Sequence, residues 1–319
     1  MLTKTDAISV INRLGTEKTP FSFYCDFLGK RWCVEPEGER SFFLKISEGT
    51  RQQNSVLPED FHFSKTPPSY LEFRAAFDSV LEEINYGNSF LTNLTFRTAI
   101  QTNLSLKGIF EYSRAKYKLL VPGHFVVFSP ETFIKIREDH IFSYPMKGTI
   151  DANLVNARST ILGDEKEIAE HVTIVDLIRN DLSLVADEVA VTRFRYLDQL
   201  NTNQKELLQV SSEIKGYLGK EWQNQLGTIL SKLLPAGSIS GAPKPETLEI
   251  IQKTESYSRD FFTGICGHFD GHSLNTGVMI RFIGQDKDGL YYCSGGGITS
   301  FSQPAKEYQE MVDKVYLPL

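Results

Sequence analysis

Glutamate recurs three residues apart at two places in the chain: Glu167 and Glu170 within DEKEIAEHVTIVDLIRNDL, and Glu307 and Glu310 within PAKEYQEMVDKV. Both stretches read as helices, and residues three apart share a helix face. Each pair alone also suits a helix start, where Asp164 and Glu167 fit a capping arrangement and acids match the helix dipole. Ile174 and Ile178 continue the first glutamate face, so that face is not simply solvated. If the pairs face each other, their carboxylates raise one another's pKa unless a cation joins them. Oxygen donors without cysteine or histidine spacing favour Mg²⁺ over zinc, and Mg²⁺ keeps positions open for an anion.

Other residues are candidates for work beside such a site. Lys147, in FSYPMKGTI, ends a short β-prone run and faces either water or a ligand. His171 follows Glu170 directly; it is either a packed helix residue or a general acid or base beside the acids. LPAGSISGAPKPE, residues 234–246, carries Gly237, Ser238, Ser240 and Gly241 ahead of a helix. It is either a turn or a close backbone approach to a ligand. CSGGGITS places Gly295, Gly296 and Gly297 before the last helix, either as a turn or as a nest of amide donors. Arg281, inside GVMIRFIG, needs a partner in apolar surroundings, either a ligand carboxylate or a structural acid. Cys266, in GICGH, lies in a sequence near a nucleophile-elbow turn, but His268 stands at the second glycine and no His-x-Glu follows. It reads as a buried strand cysteine.

The elements that must position these residues form an α+β pattern. Residues 1–65 read as short strands and turns, a β-rich segment integrated into the fold, and residues 66–319 as the catalytic core. Amphipathic helices are expected at YLEFRAAFDSVLEEINYG, about 165–180, EWQNQLGTILSKLL, PETLEIIQKTES and 304–315. Between them run strands such as SFLTNLTFRTAI, HFVVFSPETFIKIREDHIFSYPMKGT, VAVTRFRYL, NTGVMIRFIG and GLYYCSG. Runs of strands with helices between them indicate one intertwined α+β domain.

Composition narrows the class further. The 319 residues are 41% hydrophobic and 23% charged, as in an ordinary globular protein. A net charge of −6 argues against a nucleic-acid partner. The four cysteines lack metal spacing and fit reduced thiols. The N-terminus has no secretory pattern and no window is long and apolar enough to span a bilayer, so a cytoplasmic location without membrane attachment is expected.

SPETF, PMKGT, DEKEIAEHVTIVDLIRNDL, LPAGSISGAPKPE, IRF, GGGITS and PAKEYQEMV run in the order found in the chorismate-utilising enzymes. That family includes anthranilate, aminodeoxychorismate, isochorismate and salicylate synthases, and the resemblance covers about residues 70–316. It implies two packed β-sheets flanked by helices, with chorismate and Mg²⁺ in a central cleft. By resemblance, Glu167, Glu170, Glu307 and Glu310 are metal ligands, and Arg281 with the amides of Gly296 and Gly297 holds a carboxylate. Ser238 and Gly241 line the substrate, and His171 lies near the reacting ring. PMKGT is similar to the aminodeoxychorismate synthases, whose lysine is proposed to attack ring C2 before ammonia adds at C4; anthranilate synthases usually carry alanine there. Water-adding relatives use a lysine base in the strand matching SFLTNL, where this chain has Leu91. The resemblance thus implies amination of chorismate for 4-aminobenzoate and folate synthesis, with ammonia from a separate glutamine amidotransferase subunit. Phe262, in DFFTGICG, departs from a family tyrosine.

Overall fold

The computed structural model describes residues 1–38, 41–47, 57–201 and 206–319. Eight α-helices lie among these residues: α1 (Lys4–Thr16), α2 (Tyr70–Tyr86), α3 (Leu106–Tyr112), α4 (Ala157–Gly163), α5 (Glu165–Ser183), α6 (Leu226–Leu233), α7 (Lys244–Thr254) and α8 (Pro304–Asp313). The strands form two antiparallel sheets. The first runs Leu2–Thr3, Arg31–Pro36, Phe21–Cys25, Ile265–Phe269, Leu274–Val278, Thr132–Arg137, His140–Ser143, Glu206–Tyr217, Met146–Asp151, and Asp187–Asn201 also pairs with Glu206–Tyr217. The second runs Gly241–Ala242, Leu91–Thr102, Gly289–Ile298, Phe282–Asp286, Phe125–Ser129, Tyr117–Val121, Phe43–Ile46, with Phe63–Thr66 beside Leu91–Thr102.

The N-terminal segment is not all strand and turn. α1 forms because Thr3 caps the Asp6 amide and Ala7, Ile11 and Leu14 fall on one buried face. That face packs on Trp222, Leu226 and Leu230; the strands that flank α1 join the first sheet, and Phe43–Ile46 and Phe63–Thr66 join the second. Between the sheets, Tyr24, Leu119, Phe125, Cys266, Met279, Phe282 and Cys293 share one apolar cluster. Gly277 sits where a Cβ would lie 2.5 Å from the Tyr117 ring, so the strands there approach too closely for any side chain.

The longest helix, α5, decides where the site lies. Asp164 caps it by accepting from the Glu167 amide at 2.9 Å. Val175, Ile178 and Leu182 anchor it in the largest core cluster. Its glutamate turn is thereby carried beside the start of the strand Met146–Asp151, at Lys147 and Gly148. α8 starts with Pro304 in its first turn and buries Met311 against α2. It thus carries its own glutamates to the end of the strand Gly289–Ile298.

Candidate active site

A cavity of about 710 Å³ opens between the sheets, α5 and the loop after α6. Lys147, Glu170, Glu131, Ser238, Gly297 and Leu91 all line it, and Ile174 and Ile178 form part of its apolar wall. Lys147 projects from the strand Met146–Asp151, and its Nζ lies 2.5 Å from Glu170 Oε2 on α5. Burial lowers the proton affinity of this ammonium, but Glu170, and after it Glu167 and Glu310, outweigh burial and hold its pKa above that of a free lysine. Both glutamate-bearing helices therefore act on one lysine. Gly148, with φ +83°, has no Cβ to collide with Glu167 Oε2, which lies 3.0 Å from the position a Cβ would take.

The second glutamate pair gathers around Gly296. A Cβ there would lie 3.6 Å from Lys314 Nζ, 3.7 Å from Glu307 Oε2 and 3.8 Å from Glu310 Oε1. Glu307 is buried, whereas Glu310 is paired with Lys314 at 2.6 Å. Lys314 Nζ also donates to the Gly295 carbonyl at 2.8 Å.

Arg281 stands before the strand Phe282–Asp286 rather than inside it, at a bend with φ 55°. Its Nη1 donates to the Lys314 carbonyl at 2.8 Å and its guanidinium lies over the Tyr316 ring at 5.0 Å. With Glu310, Lys314 and Tyr316 it lines a second, more open cavity of about 430 Å³. Basic side chains at a half-open cleft suit a carboxylate.

Two residues with no role in the sequence reading stand out. Glu131, in SPETF, lines the main cavity and accepts from Ser238 Oγ at 2.5 Å. Burial pushes its carboxyl pKa up, against the Ser238 hydrogen bond and the charges of Lys314 and Arg281. Burial that raises a carboxyl pKa makes the group a better proton donor to a ligand in the cavity. Lys314 is the other. Its spacing of four from Glu310 on a helix is the signal that finds it; a lone glutamate at a strand start gives none.

The remaining predicted residues have different settings. Gly241, with φ +136°, leaves no room for a Cβ against the Leu91 carbonyl, so it supports a cavity-lining strand without lining the cavity. Gly297 packs against the Leu91 side chain, 2.8 Å from where a Cβ would sit, and does line it. His171 is fully buried and absent from the cavity wall. Its Nε2 meets Ser212 Oγ at 2.7 Å, and its buried Nδ1 has no hydrogen-bond partner among the described residues. Burial, then Arg195 and Lys147, lower its pKa to about 4, so it is a neutral packing residue here. Cys266 is buried in a strand with its thiol pKa pushed up to about 12 by burial. Phe262 packs edge-on against Phe282 in the intersheet core.

The four glutamates suit Mg²⁺ in kind, as hard oxygen donors. In placement they do not form a ready site: among the described residues, no three His, Cys, Asp or Glu side chains stand close enough to hold one ion. Lysines engage Glu170 and Glu310 instead.

Comparison with known proteins identifies the family and the fold. The profile of the chorismate binding enzymes matches residues 32–319. A Haemophilus influenzae protein named "Uncharacterized PabA-like protein" is 46% identical over 315 residues, covering 98% of this chain and 96% of its own length. A Pasteurella multocida protein, "Uncharacterized PabA-like protein PM1464", is 45% identical over 317 residues, covering 98% of each chain. An Arthrobacter globiformis protein named "Anthranilate synthase component 1" is 32% identical over 200 residues, covering 60% of this chain and 36% of its own. Among solved structures, the menaquinone-specific isochorismate synthase MenF of Escherichia coli superimposes with a TM-score of 0.76 at 16% identity, over 98% of this chain and 81% of that one. A putative isochorismate synthase, DhbC of Bacillus anthracis, gives 0.71 at 18%, over 98% and 86%. Two antiparallel sheets with flanking helices are thus shared with chorismate-using enzymes, and by the extent of the profile match this chain belongs to the chorismate binding enzyme family.

Proposed function

We propose that the chain is the ammonia-using component of an aminodeoxychorismate synthase, converting chorismate and ammonia to 4-amino-4-deoxychorismate and water for 4-aminobenzoate and folate synthesis. The observation that carries this reading is Lys147 in the wall of the main cavity, with Leu91 lining the same cavity. A lysine there can act as a nucleophile, and leucine cannot activate water.

In this reading the Lys147 amine bonds ring C2, the conjugated double bonds shift and the C4–O bond breaks. Glu131 gives its proton to the departing hydroxide, which leaves as water. Ammonia then bonds C4, the double bonds shift back and the C2–N bond breaks, freeing Lys147. The proton gained by the new amine returns to Glu131. Arg281, Lys314 and the Gly297 amide receive the substrate carboxylates, and Ser238 orients Glu131. Lys147 reacts after its ammonium has given a proton to solvent, a loss made easier once Glu170 no longer pairs with it, because an ammonium has no free electron pair. Glu167, Glu170, Glu307 and Glu310 would be the residues to hold Mg²⁺, which would neutralise those acids. Ammonia comes from a glutamine amidotransferase subunit.

A second reading, an anthranilate synthase-type lyase, is favoured by the Arthrobacter globiformis relative and disfavoured by Lys147. The pure chain, given chorismate, Mg²⁺ and ammonium salt, should form 4-amino-4-deoxychorismate, identified by chromatography and mass. Anthranilate as the main product would replace the first reading with the second. Exhaustive EDTA treatment should abolish turnover, and full activity after it would remove Mg²⁺ from the reading. Glutamine alone should not serve as nitrogen donor.

A further inference from the structure

We propose that the buried pair Arg259–Glu255 is a positioning device that sets the distance between the two walls of the main cavity. Arg259 Nε and Nη2 bond Glu255 Oε2 and Oε1 at 2.8 and 2.6 Å, and the two side chains are only 2% and 1% exposed. The same guanidinium reaches two backbone carbonyls. Nη1 donates to Ile239 at 2.8 Å and Nη2 to Asn93 at 2.6 Å. Ile239 follows Ser238, and Asn93 is the cross-strand partner of Gly297. Ser238 and Gly297 both line the cavity. One planar cation thus spans the loop that carries Ser238 and the strand that backs Gly297.

Glu255 completes the clamp. Its Oε1 also accepts from the amide and the hydroxyl of Thr95, at 2.9 and 2.7 Å, and the Thr95 hydroxyl meets Tyr257 at 2.7 Å. The Asn93 amide in turn donates to the Ser240 carbonyl at 2.9 Å, so the loop and strand are tied on both sides of Arg259.

A buried ion pair is a weak source of stability, since well-packed apolar residues of similar volume serve as well or better. A rigid fork with fixed donor directions is a good source of geometry, and lysine cannot reproduce it. The effect on catalysis rests on the amination reading; the effect on the loop does not.

The test is Arg259→Lys, read two ways in the full chain. Hydrogen exchange should quicken over residues 237–242 and 92–95 while the amides of 21–25 keep their wild-type rates. kcat/KM for chorismate should fall roughly tenfold to a hundredfold, the scale of a misplacement of about 1 Å. The double variant Arg259→Met with Glu255→Leu leaves the Ile239 and Asn93 carbonyls and the Thr95 amide without these partners, so it should stay folded but melt below wild type, and show the same local exchange and the same loss. Wild-type exchange and wild-type kcat/KM in either folded variant would overturn the proposal. Unfolding of both would assign the pair to stability and overturn it too. If the wild-type chain does not aminate chorismate, the exchange arm still decides the positioning role, and only the functional reading falls.

Discussion

α5 and α8 carry the same Glu-x-x-Glu spacing and present it to different surroundings. On α8 the lysine partner of Glu310 is Lys314, four residues on along the same helix, and the Glu310 side chain is 54% exposed. Such a pair forms wherever the helix forms, and contributes about 0.3–0.5 kcal/mol. On α5 the partner of Glu170 is Lys147, from a distant strand, and the Glu170 side chain is 12% exposed. That contact exists only when the first sheet and the helix are in place. The same acidic motif therefore makes a local, solvent-screened pair at the open cavity and a long-range, shielded pair at the enclosed one. Charge close to reacting atoms acts more strongly in the shielded setting. The chemistry is expected at α5 and substrate capture at α8.

The sharpest way to break this division is Lys147→Ala. Amination should slow by at least about 10²-fold, the usual cost of losing a positioned catalytic group. Chorismate binding, measured by calorimetry, should persist, because Arg281 and Lys314 remain. Rapid quench of wild-type protein with chorismate and Mg²⁺ but no ammonia should leave a chorismate-derived mass on the peptide containing PMKGT. A Lys147→Ala variant as fast as wild type, with no adduct, would make Lys147 a bystander.

Glu131→Gln comes next. It should lower kcat by about 10²-fold, as expected for a lost proton donor. It should also stabilise the fold, and the sign follows from the raised carboxyl pKa. A raised value means the folded state favours the protonated form. The stability this contributes is full below the unfolded value of about 4.3 and is lost as pH rises through the folded value. At pH 8 the wild type therefore carries the cost of a desolvated carboxylate that glutamine lacks. Melting should be higher for Glu131→Gln at pH 8 and similar at pH 4. A variant less stable than wild type at pH 8 would contradict the assigned burial.

Much of this arrangement is legible in the sequence, for reasons that differ by residue. Helix periodicity exposes the two glutamate pairs and shows that Ile174 and Ile178 continue a face that is not solvated; both line the cavity. Motif order points to the chorismate-using fold. α1 escapes because its apolar residues are sparse among polar ones and aromatic strands follow it. Arg281 reads as a strand residue because Val278, Met279 and Ile280 precede it, yet the backbone turns to φ 55° there. His171 sits beside Glu170 in sequence, but one helix step turns it about 100° away, to Ser212 and out of the cavity. Glu131 has no periodic signal, since its role depends on Ser238, more than a hundred residues later.

At the open cavity, Arg281→Ala should raise KM for chorismate and lower kcat/KM. A charge-assisted hydrogen bond contributes about 1.5–3 kcal/mol, so the change should be roughly tenfold to a hundredfold. Lys314→Met should act in the same direction and lower the melting temperature only slightly, because the Glu310 pair it removes is exposed and one hydrogen bond, to the Gly295 carbonyl, goes with it. Steady-state kinetics decide the matter: an unchanged KM in both variants would move substrate capture away from α8 and erase the contrast with α5.

The smallest effect is expected for Ser238→Ala, and it tests the enclosed cavity alone. The Ser238 hydroxyl donates to Glu131, which favours the carboxylate and holds the acid's pKa below what burial alone would give. Losing one such bond costs about 0.5–1.5 kcal/mol, so kcat should fall only roughly two- to tenfold. The pH profile is the better readout. Without the serine, Glu131 keeps its proton to higher pH, so the limb that reports loss of the acid should shift upward. Lys314 and Arg281, the cations that also act on Glu131, are untouched by the change and keep their opposing influence. Ammonia supply changes with pH as well, so profiles for wild type and variant must be compared at equal free ammonia. In that comparison a limb that stays in place, or moves down, would mean that Glu131 is not the acid whose proton the reaction uses. The enclosed cavity would then owe its chemistry to Lys147 alone.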